Sequence, residues 1–262
     1  MRKFGFKVFS SNLQTIPTLF EECGQFARTK PDVFLELMTV PTSTMEDFKT
    51  IKQYLKDVEV RIHAPHSAMG FDAGNKELEK QNQKFLAVAQ KAADLFQAPT
   101  IVVHAGCGHG SSYLEETVRQ FKGFKDERIV VENLPDHNSH QLPLHGNTPE
   151  EISYIMHETG CGFCFDFSHA VCAALHLKID PETQLKGFYA LNPTVYHLCD
   201  GDITTPKDLH KHFGTGNYPL GHFLNDLTDP DAYITMETGT KPSPHNDPLI
   251  RDYEYLKSIL KA

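Results

Sequence analysis

The feature that most constrains this chain is a strand-like segment that recurs eight times, with helical spacing between successive copies. Short runs rich in β-branched and aromatic residues stand at 4–10 (FGFKVFS), 32–37 (DVFLEL), 58–64 (VEVRIHA), 100–106 (TIVVHAG), 128–134 (RIVVENL), 162–168 (GFCFDFS), 194–200 (TVYHLCD) and 232–238 (AYITMET). The segments between them, such as 44–56, 77–96 and 148–159, carry apolar residues at helical spacing. Thr148, Pro149 and Glu151 read as an N-cap, a proline in the first turn and a capping-box glutamate. Strands that are apolar along nearly their whole length are buried on both faces, as parallel strands are. Eight strand–helix units of this kind predict an α/β fold, a single (β/α)8 TIM barrel domain over residues 1–262.

A barrel of this type carries its chemistry at the C-terminal ends of the strands and in the loops that follow. Those strand ends bear His63, His104, Glu132, Asp166, His197 and Glu237, and the loop after the seventh strand adds Asp208 and His210. His169 follows Asp166 by three residues in FDFSHAVCAA. Glu36 in the second strand reads equally as a rim carboxylate or as an ordinary solvated one. A single strand-end histidine is more often structural than a ligand, but the same residue types on six of eight strands point to a metal centre. Imidazoles and carboxylates without thiolates favour Zn²⁺, with Mn²⁺ as the second choice, over the all-oxygen shells of Ca²⁺ and Mg²⁺. Nine donors exceed the needs of one ion and suit two or three that share a bridging carboxylate.

The net charge of −9 argues against a general polyanion-binding surface. Three divalent ions would bring it to about −3, because bound metals reverse the local sign. The N-terminus lacks a charged, then apolar, then small-residue pattern, and no apolar run is long enough to span a bilayer. Cysteines 23, 107, 161, 164, 172 and 199 form no disulfide framework. The expectation is a cytoplasmic chain with reduced thiols, no membrane contact and no obligate protein partner. Cys161-Gly-Phe-Cys164 has redox spacing but runs into a strand, so buried small side chains are the better reading. The glycines of 105–112 and 214–220 read as loop-shaping.

Taken together, HAPH (63–66), VVHAG (102–106), VVENLP (130–135), FDFSHAVCAA (165–174), HLCD (197–200), DLHKHFGTGN (208–217) and ITMETG (234–239) resemble the endonuclease IV family of apurinic/apyrimidinic endonucleases. The resemblance runs from about residue 58 to the C-terminus and implies a three-zinc ligand set. His63, His104 and Glu132 would hold one ion. Glu132 would bridge to a second, completed by Asp166, His197 and Glu237, while His169, Asp208 and His210 would hold the third. It also implies hydrolysis of the DNA backbone at abasic sites, with Glu132, Asp166 and Glu237 at the reacting centre and Asn133 supporting the ligands. After the first histidine, His66-Ser67-Ala68-Met69 stands where the DNA-repair members carry side chains that enter the duplex, so a small phosphorylated or sugar substrate is the alternative partner. The alternative activity is a sugar or sugar-phosphate isomerase or epimerase. It would use one divalent ion on Glu132, Asp166, His197 and Glu237, with the two glutamates as an acid/base pair.

Overall fold

The computed structural model describes residues 1–138, 141–239 and 243–261. Eight parallel strands close into a barrel in sequence order: β1 (Lys3–Phe9), β2 (Val33–Met38), β3 (Val60–His63), β4 (Ile101–His104), β5 (Ile129–Glu132), β6 (Gly162–Asp166), β7 (Val195–Leu198) and β8 (Tyr233–Met236). The helices are α1 (Asn12–Thr15), α2 (Pro17–Thr29), α3 (Met45–Tyr54), α4 (Glu79–Phe96), α5 (Ser111–Phe124), α6 (Pro149–Thr159), α7 (Phe167–Leu177), α8 (Pro181–Tyr189), α9 (Leu220–Asp226) and α10 (Asp247–Ile259). The TIM barrel expected from the sequence is thus the fold observed. Among the described residues no helix is long and apolar enough to cross a membrane.

Strand alternation explains where the chemistry lies. Successive side chains point to opposite faces of the barrel wall, so residues two apart share a face. On one phase Phe4, Phe6, Ile101, Val103, Ile129, Val131, Phe163 and Phe165 join the main apolar core with the helices. On the other phase Val102, Val130, Cys164 and Val195 form a separate small cluster with Tyr233 inside the barrel. His104, Glu132, Asp166 and His197 each lie two residues beyond a member of that cluster, so they stand on the inward face directly above it. Register then sets them side by side: His104 is paired with Glu132, Asp166 with His197, and Lys7 with Glu36.

The caps follow sequence chemistry with one difference. Thr148 caps α6 by accepting from the Glu151 amide, and Pro149 occupies the first turn. The Glu151 carboxylate does not return to the cap residue; it accepts from Gly146 N at 2.7 Å, tying the preceding loop to the helix. A complete capping box forms instead at α3, between Thr44 and Asp47. All six cysteines are free thiols, with Cys164 buried inside the barrel and Cys161 half-buried at its edge.

Candidate metal centre

Asp166 is the last residue of β6 and also the N-cap of α7, so strand passes into helix with no loop between them. Its Oδ1 accepts from the His169 amide at 2.7 Å, while its Oδ2 is buried with no hydrogen-bond partner among the described residues. Burial, together with the nearby Glu132, Glu237 and Asp208 carboxylates, pushes the Asp166 carboxyl up to about 6. A buried, crowded carboxylate with a free oxygen is costly unless a cation meets it.

Glu132 stands at the centre of the group. One of its oxygens lies 3.1 Å from both His63 Nε2 and His104 Nε2; the other lies 3.2 Å from His197 Nδ1 and 3.3 Å from His169 Nδ1. Burial opposes its charge, but these imidazoles outweigh that and hold the carboxyl well below its ordinary range. Donors bound to one tetrahedral ion at 2.0–2.1 Å stand roughly 3.3 Å apart. The separations to His63, His104 and His197 are therefore those of a ligand shell as well as of hydrogen bonds.

Three of the five imidazoles are anchored through Nδ1 so that Nε2 faces inward. His63 Nδ1 donates to Ala64 O at 2.7 Å, His169 Nδ1 to Asn133 O at 2.9 Å, and His210 Nδ1 to Glu237 O at 2.7 Å. A carbonyl only accepts, so a proton sits on each Nδ1, and Nε2 is the nitrogen that faces the carboxylates and would serve as the ligand atom. His197 is turned the other way. Its Nε2 donates to Glu36 at 3.0 Å and its Nδ1 faces Glu132 and, at 2.7 Å, Glu237. Asn133 holds this corner together: its amide donates to Asp166 O at 2.8 Å and accepts from Asp166 N at 2.7 Å.

A further group forms at the rim. His169 Nε2 lies 3.4 Å from Asp208 Oδ2, and His210 Nε2 closes on the same oxygen. The neighbouring imidazoles hold Asp208 below the ordinary carboxylate range against the cost of burial. His210 adopts a left-handed backbone with φ 44°, uncommon for a residue with a side chain. The loop is stabilised by buried Asp200, which accepts from Gly201 N, Gly216 N and Tyr218 N and pairs through its backbone with Lys211. Gly216 is required here, because a Cβ would collide with Gly201 O and the Asp200 carboxylate.

All nine residues expected from the sequence thus converge. The ligand atoms of His63, His104 and Glu132 lie within 4.8 Å of one another, as do those of His169, Asp208 and His210. Glu36 differs from both sequence expectations. It is neither on the rim nor solvated but fully buried in the barrel, accepting from His197 and from Thr235 Oγ1 at 2.8 Å. Lys7 was not anticipated. Its ammonium pairs with Glu237 and stands 3.6 Å from Glu36. Burial disfavours its charge, but these carboxylates outweigh that and raise its pKa above the ordinary lysine value. The signal in the sequence is a lysine in an apolar strand on the phase opposite to Phe4, Phe6 and Val8. His66 stacks against His104 with ring centroids 5.3 Å apart; burial and the two neighbouring histidines depress its pKa to about 2.

The sequence pattern of the xylose isomerase-like TIM barrel family matches residues 25–259. A curated relative, the probable endonuclease 4 of Mycobacterium ulcerans (strain Agy99), is 23% identical over 185 residues, covering 68% of this chain and 72% of the relative. Among solved structures, endonuclease IV from Thermus thermophilus superposes with a TM-score of 0.71 at 18% identity, covering 98% of each chain. A D-tagatose 3-epimerase-like protein superposes with a TM-score of 0.69 at 19% identity, covering 97% of this chain and 96% of the other. At these identities the structural likenesses establish the fold.

Proposed function

The chain belongs to the xylose isomerase-like TIM barrel family, and within it we propose that this protein is a zinc-dependent phosphoester hydrolase that cleaves the DNA backbone at abasic sites. The observation that carries this reading is the rim group of His169, Asp208 and His210, whose ligand atoms lie within 4.8 Å of one another next to the inner residues. An isomerase working with one ion on Glu132, Asp166, His197 and Glu237 has no use for it. The likeness to a probable endonuclease 4 supports the same reading.

The donors fit the ions they would hold. His63, His104 and Glu132 would hold one, Glu132, Asp166, His197 and Glu237 a second, and His169, Asp208 and His210 a third. The orphaned Asp166 Oδ2 and the inward-facing Nε2 atoms fit that assignment. When bound, the ions supply activation of a water nucleophile and neutralisation of charge on the phosphoryl oxygens. The protein's own part is preorganisation. Glu132 presents one oxygen to each of two neighbouring positions, Asn133 fixes the Asp166 backbone, and Glu36 fixes the His197 ring. These groups are already in place, so little reorganisation is left for the reaction itself.

The test is an assay of zinc-loaded protein on a duplex with one abasic site, beside ketose and ketose-phosphate epimerisation. The hydrolase reading expects strand cleavage that prolonged chelation abolishes and zinc restores. Epimerisation without cleavage would assign the protein to the isomerase class and leave the inner quartet as its centre.

A further inference from the structure

A second donor group stands outside the site described above. Asp136 and His137 lie on the loop between β5 and α6, His109 on the loop between β4 and α5, and His176 near the C-terminal end of α7. The ligand atoms of His109, Asp136 and His137 fall within 4.8 Å of one another. Asp136 is 4% exposed; its Oδ1 accepts from Asn147 Nδ2 at 2.9 Å, which aims Oδ2 at the histidines. Two imidazole nitrogens converge on that oxygen, His137 Nδ1 at 2.6 Å and His176 Nε2 at 3.1 Å. The His137 and His176 ring centroids are 4.7 Å apart, and those of His109 and His137 are 5.7 Å apart.

Two features separate this group from a chance cluster of surface side chains. His137 Nδ1 is shielded from solvent yet has no hydrogen bond of acceptable geometry among the described residues, despite its approach to Asp136. A buried ring nitrogen in that position is costly as a bare acceptor or donor and is satisfied as a ligand. The loops are also fixed independently of the group. Cys107 and Leu144 form an antiparallel bridge, as do His137 and Pro143; Gly108 N donates to Pro143 O at 2.8 Å, and Leu144 N to Asp136 O at 2.9 Å. The donors are therefore held in place before anything binds.

We propose that His109, Asp136, His137 and His176 form a separate site for one divalent transition ion, with Zn²⁺ the best fit. Three imidazoles and one carboxylate make a full tetrahedral set with no open position, and it is this closed coordination that fits a structural ion. Its position gives it a role: an ion there cross-links the loops after β4 and β5 to α7. His104, Glu132 and Asp166 end the strands from which these three segments emerge. The ion would hold that side of the rim together without touching the substrate.

The test is a Zn²⁺ titration of metal-free protein by calorimetry, comparing wild type with His176→Gln and with the double variant His109→Ala/His176→Gln. Both positions are exposed, so the barrel should remain intact by circular dichroism. The proposal expects each variant to lose one ion per chain, or to bind it at least about 10-fold more weakly, with the other binding steps unchanged. It also expects the upward shift in unfolding temperature produced by Zn²⁺ to be smaller in the double variant. Because the readout is a difference between proteins, it holds however many ions the barrel mouth takes. Isotherms and temperature shifts identical to wild type in both variants would overturn it.

Discussion

The imidazole of His197 and the carboxylate of Glu36 lie 3.0 Å apart, both fully buried, although 161 residues separate them in the chain. Glu36 fixes which nitrogen of His197 carries the proton and turns the other toward Glu132 and Glu237. Glu36→Gln keeps the shape but removes the charge that holds this orientation. The expected outcome is a loss of about 10- to 100-fold in affinity for one ion, with parallel loss of turnover. Zinc release to a competing chelator measures it; release at the wild-type rate would contradict the role.

His210 stands on a loop, its Nδ1 bound to Glu237 O and its Nε2 against Asp208. His210→Ala removes a donor from the rim group and leaves the inner quartet whole. The hydrolase reading expects turnover to fall by on the order of 10²-fold with the fold unchanged. Near-full activity at wild-type zinc content would remove the rim group from the mechanism.

Lys7 neutralises carboxylates that bound ions would also neutralise. Without metal, Lys7→Met leaves Glu237 and Glu36 short of a counter-charge, and breaking a buried pair of this kind costs about 3–5 kcal/mol. With saturating Zn²⁺ the loss should be markedly smaller. Denaturant unfolding in both states measures the difference, and an equal loss in each would show that Lys7 and the ions act independently.

Asp32, at the start of the second strand segment, anchors α10: it accepts from Tyr253 Oη at 3.0 Å and from Lys257 Nζ at 2.6 Å. Burial raises its pKa, but these two partners outweigh burial and leave it below the ordinary value. A depressed carboxyl stabilises the fold above its unfolded pKa of about 3.9, and that stability is lost as pH falls through the lower folded value. Asp32→Asn should therefore cost about 1–2 kcal/mol at neutral pH, with the gap to wild type closing only below about pH 4. A gap that already narrows between pH 7 and 5 would point to another group.

The fold was legible because buried parallel strands leave an unbroken apolar signature and the helices between them carry their own period. The convergence of the nine candidate donors was legible because a barrel sends strand ends to one rim, so position in the strand reports position in space. Glu36 and Lys7 were not, although both lie in strands that were recognised. What decides their fate is who else points into the barrel: His197 and Thr235 for Glu36, Glu237 for Lys7, partners 161 to 230 residues away. Likewise Glu151 fits a capping-box spacing, but the turn at Gly146 offers its carboxylate a nearer amide. The Asp136 group was missed because its four donors come from three segments with no shared spacing.

The central claim is that the barrel mouth holds three ions on nine named residues. A crystal of zinc-loaded protein, with anomalous data collected at the zinc edge, tests it most directly. The account predicts three peaks at the mouth, each about 2.0–2.1 Å from imidazole nitrogens: one at His63, His104 and Glu132, one at Glu132, Asp166, His197 and Glu237, and one at His169, Asp208 and His210. A single peak among Glu132, Asp166, His197 and Glu237, with no density between His169, Asp208 and His210 at saturating zinc, would contradict it.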